Sequence, residues 1–172
     1  MKSGRTAVWV VVGLATGLSG CGHDLSPRLL DAAEGFRVET PGPWERAEFP
    51  APDIAGVRRI VYTSGHGGGQ FLVIVDQYAG RAVPTLDEAR NGPEFDSADQ
   101  IQRGHYRGYE YLDARVPHQL ITTASGATAF VRLVVTPRAT IELQYRRSGD
   151  DVATPDPRWA AFRDSLELAP AE

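Results

Sequence analysis

The chain has 172 residues, 42% hydrophobic, 9% aromatic and 23% charged, enough for one domain with a buried core and a short extension. That apolar content excludes a disordered chain, and the composition is neither collagenous nor low in complexity. A formal charge of −4 argues against nucleic acid as a partner, because phosphate contacts need a basic surface.

Lys2 and Arg5 give a positive start, and Ala7 to Leu18 is an apolar run broken only by glycine and Thr16. Small residues follow at Ser19 and Gly20, a layout that predicts a secretory signal peptide over 1–20. A membrane-spanning helix needs about 20 apolar residues, and this run is shorter with no basic flank after it. The end of the segment, Leu18-Ser19-Gly20-Cys21, resembles the lipobox of bacterial lipoproteins. That resemblance implies cleavage before Cys21, diacylglycerol on its sulfur and further acylation of the palmitate type. The domain would then be lipid-anchored to the cell membrane or outer membrane and face the periplasm or exterior. Gly22 is not the aspartate that retains some lipoproteins in the inner membrane. Cys21 is the only cysteine, so it has no disulfide partner within the chain. Loss of Lys2 and Arg5 with the signal leaves 16 basic against 22 acidic residues, a charge of about −6. Attachment then comes from the lipid and not from attraction to anionic headgroups.

His23 to Glu34, with Pro27, predicts a polar tether containing a short helical turn at Leu29 to Ala33. The expected organisation is a lipid-anchored tether over 21–35, a domain over 36–168 and a tail over 169–172. "FRVETPGPW" opens the domain as a short strand with Phe36 and Val38 on one face, ended by Pro41-Gly42-Pro43 before Trp44. Val57–Ser64 and Gln70–Tyr78 are rich in β-branched and aromatic residues and flank "GHGGG", predicting a hairpin with a loose glycine loop. Phe71 to Val75 is apolar at every position, as expected of a central strand covered on both faces. Thr85, Glu88 and Asn91-Gly92 bound a short capped helix.

A polar stretch from Pro93 to Gly104 precedes a strand over Tyr106 to Val116. Alternation along that strand places Arg107, Tyr109, Tyr111, Asp113 and Arg115 on one side, with Tyr106, Leu112, Ala114 and Val116 on the other. Ala127 to Val135 and Ala139 to Arg147 predict two strands joined at Thr136-Pro137-Arg138. Ala129, Val131, Leu133 and Val135 are expected to pair with Ile141, Leu143 and Tyr145, leaving Thr140, Glu142, Gln144 and Arg146 facing water. Asp156 caps and Pro157 opens a last helix, with Trp159, Phe162 and Leu166 on its core stripe.

The order of elements gives an α+β class, an antiparallel β-sheet flanked by helices. In "FRVETPGPW", in "GYEY" (Gly108 to Tyr111) and in "WAAFRDSLEL" (Trp159 to Leu168) the chain resembles the PsbP-like family, the Mog/PsbP fold, across Phe36 to Leu168. It departs from that family in a shorter helix after the second hairpin strand. The resemblance implies an α/β/α sandwich that binds, stabilises or assembles other components, without a shared catalytic set. No cofactor is expected.

The residues themselves suggest little catalysis. "HGGG", His66 to Gly69, imitates an esterase oxyanion loop, but no G-x-S-x-G elbow accompanies it. His23, His66, His105 and His118 lack metal-ligand spacing, so no metal is expected. Asp96 with Asp99, and Asp150 with Asp151, sit in turn-rich stretches where solvated side chains are the simplest reading. Arg107, Tyr109 and Tyr111 form the candidate partner-binding patch, since Tyr and Arg are favoured interface anchors. The competing reading is that the tyrosines pack beneath a helix with their hydroxyls at the rim. Three functions remain open. The first is a non-enzymatic, lipid-anchored binding or assembly accessory of the envelope, whose partner is an unknown envelope protein. The second is a carrier or sensor of a small apolar ligand held among Phe71, Val73, Leu133 and Phe162. The third is a hydrolase using His66.

Overall fold

A computed structural model describes residues 28–32, 34–51, 54–66, 68–91, 95–119, 127–148 and 156–169, excluding the side chains of 28–31, 66, 118, 119 and 148. Cys21, His23, Asp150 and Asp151 lie outside the described residues, as do the side chains of His66 and His118. The order is β1 (Arg28–Ala32), β2 (Phe36–Thr40), β3 (Glu45–Pro50), β4 (Val57–His66), β5 (Gly69–Tyr78), α1 (Leu86–Arg90) and β6 (Asp99–Tyr106). Then follow β7 (Tyr109–Gln119), β8 (Ala127–Val135), β9 (Ala139–Ser148), α2 (Pro157–Asp164) and β10 (Glu167–Leu168). A seven-stranded antiparallel sheet runs β3-β4-β5-β9-β8-β7-β6, and a three-stranded sheet runs β1-β2-β10.

Local signals account for several elements. The apolar run of β5 pairs with β4 from Val57↔Tyr78 to His66↔Gly69, so the glycine loop is tighter than its sequence suggests. Thr85 and Glu88 close a reciprocal capping box on α1. Asp156 caps α2, with Pro157 at its first position. The expected tether is corrected from Arg28 onward: those residues form β1, an extended strand paired with β2 through Arg28↔Thr40 to Ala32↔Phe36, and not a helical turn.

The expected single strand over Tyr106–Val116 is also corrected, because it is the junction of a hairpin. Tyr106 pairs with Tyr109, and Arg107 and Gly108 adopt φ of 50° and 87° between them. Two consecutive left-handed residues make the type of tight turn that matches strand twist. The hairpin puts Tyr106 on the same face as Tyr109 and takes Arg107 out of the strand. Register corrects the β8–β9 pairing in the same way. Ile141, Leu143 and Tyr145 oppose Val134, Arg132 and Phe130, and Ala129, Val131 and Leu133 oppose Arg146, Gln144 and Glu142.

One face of the large sheet carries Ile60, Phe71, Val73, Leu143 and Tyr145, covered by Phe36 and Val38 of β2 and by Trp159, Phe162 and Leu166. Phe162 meets Phe71 edge-on at 5.2 Å and Trp159 stacks on Phe130 at 6.3 Å. Burying side chains of this size contributes about 1.5–3 kcal/mol each. The opposite face buries Leu112, Ala114, Val116, Ala129, Val131 and Leu133 under Leu86 of α1 and Phe95. The sandwich is therefore richer in sheet than expected, with a small sheet plus α2 on one side and a five-residue helix on the other. The polar side of β9 is not wet throughout: Thr140 and Gln144 are 7% and 2% exposed. Arg146 donates to Gln144 at 2.7 Å, and burial pulls its guanidinium below its ordinary value.

Candidate functional site

The β6–β7 turn is pinned to the far end of α2. Tyr106 donates its hydroxyl to the Leu166 carbonyl at 2.7 Å, and Arg107 donates to the Leu168 carbonyl at 3.1 Å. The Arg107 guanidinium also lies 5.6 Å from the Tyr106 ring centre. These contacts offset the strain of a left-handed arginine, which costs about 1–3 kcal/mol. Two concave surfaces flank the turn.

The first is a cleft of about 340 Å³ lined by Arg37, Glu39, Tyr106, Arg107, Asp164, Ser165, Leu166 and Glu167. It brings together β2, the end of α2, β10 and the turn. Ser165 ties the wall, accepting from the Glu39 backbone at 2.9 Å and donating to the Phe162 carbonyl at 2.8 Å. A hydrogen bond from Arg163 holds the Asp164 carboxyl below its usual range. The cleft therefore presents both signs of charge at neutral pH. The second is a more open groove of about 520 Å³. Val83, Pro84, Leu86, Tyr109, Val135 and Pro137 make it largely apolar, and Thr85, Thr136 and Glu110 supply polar groups.

Of the three residues expected to form one patch, Arg107 lines the charged cleft and Tyr109 lines the apolar groove. Tyr111 lines neither. The Arg132 guanidinium stacks 4.3 Å above its ring, and a Cβ added to Gly104, directly opposite, would meet the Tyr111 ring and hydroxyl at 2.5–2.8 Å. Arg132, 9% exposed, makes a two-pronged bond to Asp113 at 2.7 Å, and Arg163 approaches the same carboxylate at 3.7 Å. Tyr111 is thus part of a packed ion-pair cluster that joins β7, β8 and α2. Arg37, Glu39, Asp164 and Ser165 carry no local signal for the cleft, since they converge through the β2–β10 pairing and the Glu39–Ser165 bond, both between residues distant in sequence.

Other sequence candidates separate in space. Asp99 accepts from Arg115 at 2.8 and 2.6 Å, which holds its carboxyl below the usual range, and Asp96 is exposed. Gly69 of the "HGGG" stretch sits beneath the Tyr145 ring. His105 is exposed and stands 3.9 Å from Glu110. No group of three potential metal ligands occurs among the described residues. Phe71, Val73 and Phe162 share one core cluster, but Leu133 belongs to the cluster on the opposite face. The four residues proposed to line a ligand cavity therefore do not face one space.

No protein-family profile matches the chain, and no curated protein matches it. Its architecture is similar to the solution structure of cyanobacterial PsbP (CyanoP) from Synechocystis sp. PCC 6803, with a TM-score of 0.56 at 13% identity. The likeness covers 90% of this chain and 99% of CyanoP. The chain accordingly has a PsbP-like fold.

Proposed function

We propose that this chain is a lipid-anchored, extracytoplasmic accessory protein that binds or helps assemble other components of the cell envelope, without catalysing a reaction. The observation that carries the binding part is the pinned Arg107–Gly108 turn between a charged cleft and an apolar groove. Such a pairing of an Arg and a Tyr at the rim of concave surfaces suits a protein partner, for which these residues are favoured anchors. The anchoring part rests on Leu18-Ser19-Gly20-Cys21. On this reading the partner belongs to the envelope, at the inner or outer membrane.

Crosslinking in whole cells tests the reading. Arg107→Ala and Tyr109→Ala should each reduce capture of the crosslinked partner in a protein that circular dichroism shows to be folded, with a modest fall in melting temperature from the lost bond to the Leu168 carbonyl and the lost packing of the Tyr109 ring. Tyr111→Ala should lower the melting temperature without reducing capture by the folded protein, because it empties the space beneath Arg132. Undiminished capture by both rim variants would reject the turn as the docking surface.

A further inference from the structure

The two edges of the large sheet are built differently. At the β6 edge the pairing register slips between Asp99 and Gln102, Gln100 adopts a φ of 51°, and exposed Arg103 and His105 project from the strand. Bulges and charges of this kind prevent another strand from adding to an edge. At the other edge β3 pairs with β4 without a slip, from Glu45↔Thr63 to Pro50↔Arg58. Among the described residues no strand pairs with its outer side. Its only proline is the last residue, where it does not interrupt the ladder.

We propose that β3 is a self-association surface, pairing antiparallel with β3 of a second copy about a two-fold axis through Ala47. In that register Arg46 lies opposite Glu48 of the second copy, and Glu48 opposite its Arg46. Directly opposed residues share a face and come within about 5 Å, the range in which opposite charges attract. Axes through Arg46 or Glu48 would instead set arginine on arginine or glutamate on glutamate, and axes through Glu45 or Phe49 would pair only one end of the strand, so the Ala47 register is favoured. Arg46 and Glu48 already lie together on that face, 2.7 Å apart, with side chains 44% and 34% exposed. Charges usually blunt an edge strand. Here the two have opposite sign and sit symmetrically about a small residue, which blunts the edge against a foreign strand but complements a second copy. Ala47 and Phe49, half-buried on the other face, would extend the sheet surface across the axis.

A contact of about five residue pairs lies below the ~1,200 Å² of a stable interface, so the dimer is weak and concentration-dependent. Disulfide trapping reads such a contact. In the full chain carrying Cys21→Ser, Ala47→Cys places the only thiol on the two-fold axis, where the Cβ separation suits a disulfide. Mild oxidation should yield a crosslinked dimer, well above that from Gln102→Cys on the β6 edge. Adding Glu48→Arg should abolish the crosslink, and Arg46→Glu together with Glu48→Arg should restore it. Circular dichroism separates loss of pairing from loss of fold, and the doubly exchanged variant retains both charges. Equal crosslinking at positions 47 and 102, or failure of the double exchange to restore it in a folded protein, would overturn the proposal.

Discussion

Asp156 is the best place to perturb the layer that shapes the charged cleft. Its side chain, 8% exposed, accepts from the Arg158 backbone at 2.9 Å, the Arg158 guanidinium at 2.7 Å and the Tyr145 hydroxyl at 3.0 Å. Asp156→Ala removes the helix cap, worth about 1 kcal/mol. It also leaves the hydroxyl of Tyr145, a fully buried residue, without its acceptor, at about 1–3 kcal/mol. The Arg158 and Arg147 side chains are 35% and 46% exposed, so their screened ion pairs add at most about 1 kcal/mol. A loss of about 3 kcal/mol corresponds to a fall of about 10 °C in melting temperature for a domain of this size. Asp156→Asn keeps a cap and an acceptor but no charge, and should lose about 1 kcal/mol. Hydrogen bonds from Arg158 hold the folded carboxyl far below its ordinary value. A depressed carboxylate stabilises the fold above its unfolded value, near pH 4, and ceases to do so as pH falls through the folded value. Thermal melts of wild type and Asp156→Asn should therefore differ by a constant amount from pH 7 to about pH 4 and converge below it. A gap that widens on acidification, or an Asp156→Ala protein as stable as wild type, would refute this account.

Gly104→Ala should lose about 1–3 kcal/mol because its Cβ would drive into Tyr111, whereas Gly65→Ala enters open space and should change the melting temperature little. Arg132→Met removes the two-pronged bond to Asp113, 17% exposed, and leaves it only the more distant Arg163, so it should lose about 1–3 kcal/mol by denaturant titration; Arg132→Met with Asp113→Leu should recover part of it. Cys21→Ser should move the protein out of the detergent phase without altering its melting temperature, and mass spectrometry of the wild-type N-terminus should find acyl mass on Cys21. Wild type without that mass, or a variant that still partitions into detergent, rejects the anchor.

What the sequence announced was local. The β4–β5 hairpin, the Thr85 box and the Asp156-Pro157 start of α2 each rest on neighbours within a few residues. What it concealed depends on distant partners. β1 looks like polar tether because only the ladder supplied by β2 holds it extended. β3 and β6 are edge strands with little apolar alternation, so a period-two pattern could not reveal them. Arg107-Gly108 is not one of the favoured asparagine- or aspartate-glycine turns, which hid the hairpin and reversed the face of Tyr106. The same reason divided the candidate patch. Alternation placed Tyr109 and Tyr111 on one face, but only the cross-strand partners Gly104 and Arg132 decide that Tyr111 is packed.

The position of β1 also constrains how the proposed anchor and the cleft relate. Arg37 and Glu39 line the cleft from β2, and their register partners on β1 are Asp31 and Leu29. One strand therefore separates the cleft from the segment that leads back to Cys21. Cys21 and Arg28 are seven residues apart, a reach of at most about 25 Å even fully extended. Under the proposed anchoring, the small sheet stays within that distance of the bilayer, and the cleft stays beside the small sheet. A partner that docks there must approach close to the membrane, as another anchored or integral envelope protein would. A long spacer inserted after Asp24 should then weaken partner capture while leaving Arg107, the cleft and the melting temperature untouched. Unchanged capture with the spacer would mean that the partner does not depend on proximity to the lipid surface.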